Sequence, residues 1–182
     1  RAVFREKIGT PDKLIPLYGP VNDMLVVSRP RKSGGTKAWI VMMSALLDSA
    51  VPVLILPQKK VKVENRRLAI AWNRGRTEAM LVHASLSLLK AAEDVVFIAE
   101  SKNYKQGPSA RDMIDYLKAH GIKAREKKLA GGDAGKAIVQ AAREEKADML
   151  LSGGYTRGRL RQMIFGGVTE YLITGTDFPV LM

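Results

Sequence analysis

The stretch SGGYTRGRLRQMIFGGVT, from Ser152 to Thr169, holds two glycine pairs separated by a basic arm and an apolar patch. Glycine lacks the Cβ that keeps a ligand away from the main chain, so Gly153 and Gly154 allow a sharp turn and a close approach. Gly166 and Gly167 repeat that allowance directly before VTEYLI, a short predicted helix whose free N–H groups and positive dipole end would form an anion site. The Thr169 hydroxyl adds a donor. Two such turns would grip one phosphorylated ligand. Arg157, Arg159 and Arg161 would neutralise its phosphates, although a basic arm lying over solvent would read the same. Met163, Ile164 and Phe165 are expected to pack beneath the loop.

Two rival phosphate motifs fail on their own residues. Gly153 and Gly158 have the glycine spacing of a Walker A loop, but Arg159 and Leu160 stand where Lys and Ser/Thr are required. The first strand of the C-terminal region leads into NRGRTEA, which lacks G-x-G-x-x-G, so a dinucleotide fingerprint is absent. With no cysteine in the chain, disulfides, thiolate metal sites and cysteine nucleophiles are excluded. The two histidines read as structural: His83 falls on the polar side of a helix, and His120 precedes Gly121 at a helix C-terminus. Neither suggests a metal site. No nucleophile and base are suggested by spacing, and the carboxylates are scattered, so a dedicated enzyme is not expected; slow nucleotide hydrolysis by positioning alone is the most the pattern allows.

These residues need a scaffold. The 182 residues are 46% hydrophobic and 26% charged, the balance of a globular chain of one large or two small domains. No apolar run reaches the roughly 20 residues of a membrane span. The formal charge of +12 invites polyanions, but the basic residues are dispersed and aromatics for stacking are few, so a solvated surface is favoured over nucleic-acid recognition. Strands and helices alternate from Leu68 onward: LAIAW, a helix from Thr77 with Leu81, Ala84, Leu88 and Leu89 as its apolar stripe, then VVFIA. Ser109 and Asp112 have capping-box spacing for a helix ending at His120, with Gly121 as its left-handed stop. IKAREKKL follows as a strand, Asp133 caps a helix carrying Ile138, Ala141 and Ala142, and Asp148 to Ser152 forms the strand that feeds the glycine segment. Val180 to Met182 closes the chain as a strand. Such alternation implies a parallel sheet covered by helices on both faces, with ligands at the carboxyl ends of the strands.

The order repeats. FREKIGTPDKLI echoes AREKKLAGGDAGKAI, NDMLVVS echoes ADMLLSG, and VPVLI (Val51 to Ile55) echoes FPVLM (Phe178 to Met182), in the same sequence. Residues 1–57 thus read as the second half of a unit, 58–67 as a lysine-rich linker, and 68–182 as a complete unit. The first half of the first unit is then missing from this sequence, and because the chain begins with Arg1, a removed leader or further N-terminal region remains open.

The run DMLLSGGYTRGRLRQMIFGGVTEYLITGTDFPVLM resembles the C-terminal third of universal stress protein (UspA-like) domains, where strand four is followed by G-x2-G-x9-G-[ST], a helix and a final Pro-Val strand. LAIAWNRGRTEA resembles the family's first strand and turn, and LLDSAVPVLILP the end of a preceding domain in tandem members. The resemblance implies a Rossmann-like α/β fold of the adenine nucleotide alpha hydrolase-like type, a five-stranded parallel sheet in tandem repeat, and a cytoplasmic protein of the stress response that binds ATP or AMP, with or without Mg2+. The residues it assigns to the nucleotide are Asn73, Ser152, Gly153, Tyr155, Thr156, Gly166, Gly167, Val168 and Thr169, with Arg157 and Arg159 neutralising phosphate. Three depart from the pattern: Thr156 replaces a glycine, Gly167 replaces the phosphate-binding Ser/Thr, and Asn73 stands where Asp is common. The equivalent loop of the first unit, SRPRKSGGTKAW, has Pro30 where a donor would be useful, and no nucleotide is expected there. The expected partners are the nucleotide and the other unit, paired within the chain or in a homodimer. The alternative is an interaction module with an empty site, whose basic face meets a protein or nucleic acid.

Overall fold

The computed structural model describes residues 2–31, 35–59, 61, 64, 66–100, 107–129, 133–153 and 167–182. The strands are β1 (Leu25–Ser28), β2 (Val53–Leu56), β3 (Arg67–Trp72), β4 (Asp94–Glu100), β5 (Ala124–Leu129), β6 (Met149–Ser152) and β7 (Val180–Leu181). The helices are α1 (Pro11–Tyr18), α2 (Gly35–Asp48), α3 (Arg76–Ala84), α4 (Leu86–Lys90), α5 (Ala110–Ala119), α6 (Ala134–Glu144) and α7 (Gly167–Gly175). All seven strands join one sheet in the order β1-β2-β7-β6-β3-β4-β5. From β7 to β5 every pairing is parallel, giving the expected five-stranded parallel sheet. β1 and β2 also pair in parallel, and the single antiparallel contact joins β2 to β7.

The central strands are apolar on both faces because both are covered. Leu68, Ile70, Val95, Phe97, Met149 and Leu151 face α3, α4 and α5, where Trp72 meets Phe97 edge to face at 5.6 Å. The alternate residues Ala69, Ala71, Val96, Ile98 and Leu150 face α6 and α7. α7 bridges two clusters: Leu172 packs with α6, while Ile173 packs with Met42 and Ala45 of α2 and with Val53 and Ile55. The local punctuation follows the sequence. Ser109 and Asp112 form the capping box of α5, Gly121 takes φ +76°, and the Asp133 carboxylate accepts from the Lys136 N–H at 3.3 Å. His83 and His120 are exposed and stack on either side of Tyr116, with ring centroids 5.0 and 4.7 Å away.

One expectation is corrected. The helix starting near Thr77 is not continuous: α3 stops at Ala84, and a buried Ser85 separates it from α4. The break rotates the apolar stripe, so Val82 and Leu89 are buried while Ala84 is exposed. Residues 4–8, which echo β5 in sequence, form no strand, and Phe4 and Ile8 are 90% and 99% exposed. β5 exists because β4 pairs with it along six registers; residues 4–8 have no such partner among the described residues, and strand formation is decided by the neighbour as much as by the sequence.

The antiparallel seam is symmetrical. Leu54 lies opposite Leu181, Ile55 opposite Val180, and Val53 exchanges both backbone hydrogen bonds with Met182, at 2.7 and 3.0 Å. Leu25 registers with Val53 as Leu150 does with Val180, and Val26 with Leu54 as Leu151 does with Leu181. A pseudo-two-fold axis therefore passes between Leu54 and Leu181. The two apolar strands cover each other's edges, which would otherwise invite aggregation.

Candidate functional site

The carboxyl ends of β3 and β6 lie side by side, with Ala71 in register with Ser152. Asn73 and Gly153 are the first residues beyond those strands, so the sheet brings together three of the residues singled out from sequence. Asn73 is half-buried, and its Oδ1 accepts the Gly75 N–H at 2.8 Å, an Asx turn that shapes the entry to α3. Ser152 is buried. The missing side chain of Gly153 has a definite occupant: a Cβ there would lie 2.6 Å from Glu78 Cα and closer still to the Glu78 nitrogen. The glycine is required by the first turn of α3, packed onto the end of β6. Its smallness therefore serves helix packing, where a close approach to ligand was expected.

Sequence reasoning missed Glu78. It is 3% exposed, sits in the first turn of α3 at the positive end of the helix dipole, and accepts the Thr77 hydroxyl at 3.0 Å. A Cβ on Gly75 would overlap both Glu78 Oε2 and Asn73 Oδ1, so two side-chain oxygens converge over that glycine at the strand ends. The available signal was positional: an acidic residue three places after the N-cap glycine in NRGRTE. Beside them, at the ends of β3, β4 and β5, a cleft of about 220 Å³ is lined by Trp72, Arg74, Glu100, Arg111 and Lys128. Its rim is fixed by the Trp72 indole N–H donating to Pro108 O at 3.0 Å and by Gly107, whose missing Cβ makes room for the Arg74 carbonyl.

The second glycine pair is described in part. α7 begins at Gly167, where a Cβ would meet none of the described residues within 4 Å. Thr169 is half-buried. Val168 is used for packing: it joins the cluster under α6, and its Cα sits 3.3 Å from the position of a Cβ on Gly135. Tyr155, Thr156, Arg157, Arg159 and Gly166 lie outside the described residues. Among the described residues no group of three His, Asp or Glu side chains could hold a metal ion, and no helix is long and apolar enough to cross a membrane.

Residues 69–182 match the universal stress protein family model. Over 85 residues the chain is 32% identical to stress response protein NhaX of Bacillus subtilis (strain 168), an alignment covering 47% of this chain and 49% of that protein. Its structure is similar to a universal stress protein from Archaeoglobus fulgidus DSM 4304, with 21% identity, a TM-score of 0.67, and coverage of 94% of this chain and 63% of the other. A second likeness, to a putative universal stress protein from Pseudomonas aeruginosa UCBPP-PA14, has 14% identity and a TM-score of 0.54 over 96% of this chain and 68% of that one. At such identities the structural likenesses speak for the fold. The match to NhaX spans about half of that relative, and the chain spans less than two thirds of the Archaeoglobus protein. A five-stranded parallel unit that closes with β7, together with a family match over residues 69–182, makes this chain a member of the universal stress protein family.

Proposed function

We propose that the chain takes part in a stress response by binding an adenine nucleotide, ATP or AMP, at the carboxyl ends of β3 and β6. Asn73 and the Ser152–Gly153 strand end would border the nucleoside, and the first turn of α7 would receive the phosphates. The observation that carries this reading is the start of α7 at Gly167: the first N–H groups of a helix have no intrahelical partner, and no described residue lies within 4 Å of the first Cβ position. The convergence of Asn73 and Gly153 on adjacent strands supports it, as does the rule that ligands of parallel α/β sheets gather at this end. Gly167 offers an N–H but no hydroxyl, and Glu78 holds a buried carboxylate near the strand ends, so the phosphates would lie toward α7. Arg157, Arg159, Thr156, Tyr155 and Gly166 would complete the cradle.

The seam extends the reading. Residues 1–57 would be the second half of a first unit, 58–67 the connection and 68–182 a complete unit, because β1-α2-β2 repeats the pairing and register of β6-α7-β7 about the pseudo-two-fold axis. Calorimetry with ATP, ADP and AMP, with and without Mg2+, tests the function. Saturating ligand at about 100 times Kd should add about 2.7 kcal/mol of stability. Neither heat nor a thermal shift with any of the three would leave the basic-faced interaction module as the better account.

A further inference from the structure

Beyond the nucleotide reading, the opposite rim of the sheet carries a second feature. Because β2 runs antiparallel to β7, the carboxyl ends of β1 and β2 emerge at the edge opposite to those of β3 and β6. Arg29 leaves β1 there, its N–H extending the ladder to Leu56 O at 2.8 Å. Its side chain is only 7% exposed and crosses to the link between α7 and β7, where Nη1 donates to the Thr176 carbonyl and Nη2 to the Thr176 hydroxyl. The Nε–H is buried with no acceptor among the described residues. Buried guanidinium groups are ordinarily paired with a carboxylate, because an unanswered charge in the interior is costly.

The local carboxylate does not fill that role. Asp177 is the one whose field acts on Arg29, but its Oδ1 already accepts from Arg143, at 2.7 and 3.2 Å. Burial outweighs that field and pushes the Arg29 guanidinium below its ordinary range. What answers Arg29 is a carbonyl and a hydroxyl at the C-terminal end of α7, partial charges against a full one.

Beside Arg29 is a cavity of about 350 Å³, at the small end of the range for ligand pockets. Arg31 and Lys59 stand on its rim, both exposed, and Arg31 is steered by its Nε–H donating to Gln58 Oε1 at 3.1 Å. The Gln58 amide is itself anchored on the Arg29 carbonyl. Pro30 and Pro57 form rigid apolar walls. Three cations thus face one carboxylate that is shared with a fourth cation, in a concavity wider than an inorganic oxyanion needs.

We propose that this cavity is a second anion site, binding the phosphoryl group of a small phosphorylated molecule between Arg29, Arg31 and Lys59. Arg29 offers its unanswered Nε–H, Arg31 its Nη groups, and the lysine a mobile point charge to the phosphoryl oxygens. The site is assembled from both sides of the seam, Arg29 and Lys59 from one and Thr176 and Asp177 from the other, so an occupant would tie α7 to the β1–β2 edge.

The test uses the whole chain, 15N-labelled, titrated with inorganic phosphate and separately with phenyl phosphate at constant ionic strength in chloride. Millimolar ligand should displace the Arg29 Nε–H resonance, and the doubly substituted Arg31→Gln, Lys59→Gln chain, altered only at exposed positions, should bind about tenfold or more weakly. Tighter binding of phenyl phosphate is the expected result; equal affinity for the two ligands would mean a site for free phosphate and would overturn the phosphorylated-molecule assignment. An unmoved Arg29 resonance with both ligands, shifts confined to Gly167 and Thr169, or undiminished affinity in the double variant would each overturn the proposal.

Discussion

Gly153→Ala separates a packing glycine from a ligand-binding one. The added Cβ would lie 2.6 Å from Glu78 Cα, with the Thr77 carbonyl carbon and the Glu78 nitrogen nearer still. These are backbone atoms in the first turn of a helix, and no rotamer change can move them aside. Either α3 slides along the sheet or β6 bends at its end, and both movements disturb Leu81 and Val82 against Met149 and Leu151. Overpacking of a well-filled interior costs about 1–3 kcal/mol, and the absence of a flexible neighbour puts this case at the upper end. In a chain of this size each kcal/mol lowers Tm by about 2–4 °C, so Gly153→Ala should melt roughly 4–12 °C below the parent. Thermal unfolding followed by far-UV circular dichroism reads this directly. Gly167→Ala is the internal control: its Cβ would meet none of the described residues within 4 Å, and its stability should stay within about 0.5 kcal/mol of the parent. A Gly153→Ala chain that melts with the parent yet loses nucleotide would refute the packing argument and return the glycine to the ligand.

Gly167→Ser should restore a hydroxyl at the first turn of α7; if the phosphates bind there, ATP affinity measured by calorimetry should rise by about tenfold, as expected for one hydrogen bond to a charged group. Acid should destabilise the protein in a defined window. The Glu145 carboxyl is held below its ordinary range chiefly by the Arg125 hydrogen bond at 2.6 Å, with Lys127 adding to it. A depressed carboxyl contributes its full stability above the unfolded value near 4.3 and loses it as pH falls through the folded value, so Glu145→Gln should flatten the decline of Tm below about pH 4. Removing residues 1–60 should expose the β7 edge, and light scattering should then show dimers or precipitate; a soluble monomer of unchanged Tm would mean that β2 is not what protects that edge.

The elements were legible where local chemistry decides them. The Ser109–Asp112 box, the Gly121 stop and the Asp133 cap each depend on residues within one turn, and each stands where the sequence put it. The pairing of the two apolar strands was legible as well, because an uncovered edge has few remedies. What escaped were features fixed by distant neighbours. Ser85 interrupts a continuous helical pattern, and Glu78 is buried where the first turn of α3 meets the end of β6 at Gly153. Arg29 escaped for the same reason: in SRPRK it looks like one more surface cation, and only the Thr176 link, on the far side of the seam, buries it.

The pseudo-two-fold axis offers a comparison that either half alone would not. Register places Ser28 at the position of Gly153, three residues past Leu25 (opposite Val53) and Leu150 (opposite Val180) respectively. Gly153 cannot carry a Cβ because α3 lies across it, whereas Ser28 is exposed and Val26, two residues before it, is 59% exposed, α2 packing instead on Leu25 and Val27. The glycine thus tracks the helix above it, and where the helix is absent the strand end tolerates a full side chain. The residue after Ser28 is then free to be an arginine, directed across the seam toward α7, and the residue after Gly153 is a second glycine. Near-identical strand pairs consequently lead into chemically opposite loops, one permissive of close backbone approach and one built on a buried cation. What an end of this sheet binds is set by what packs on it, so a glycine pattern read as a phosphate motif has first to be discounted for the helix it accommodates.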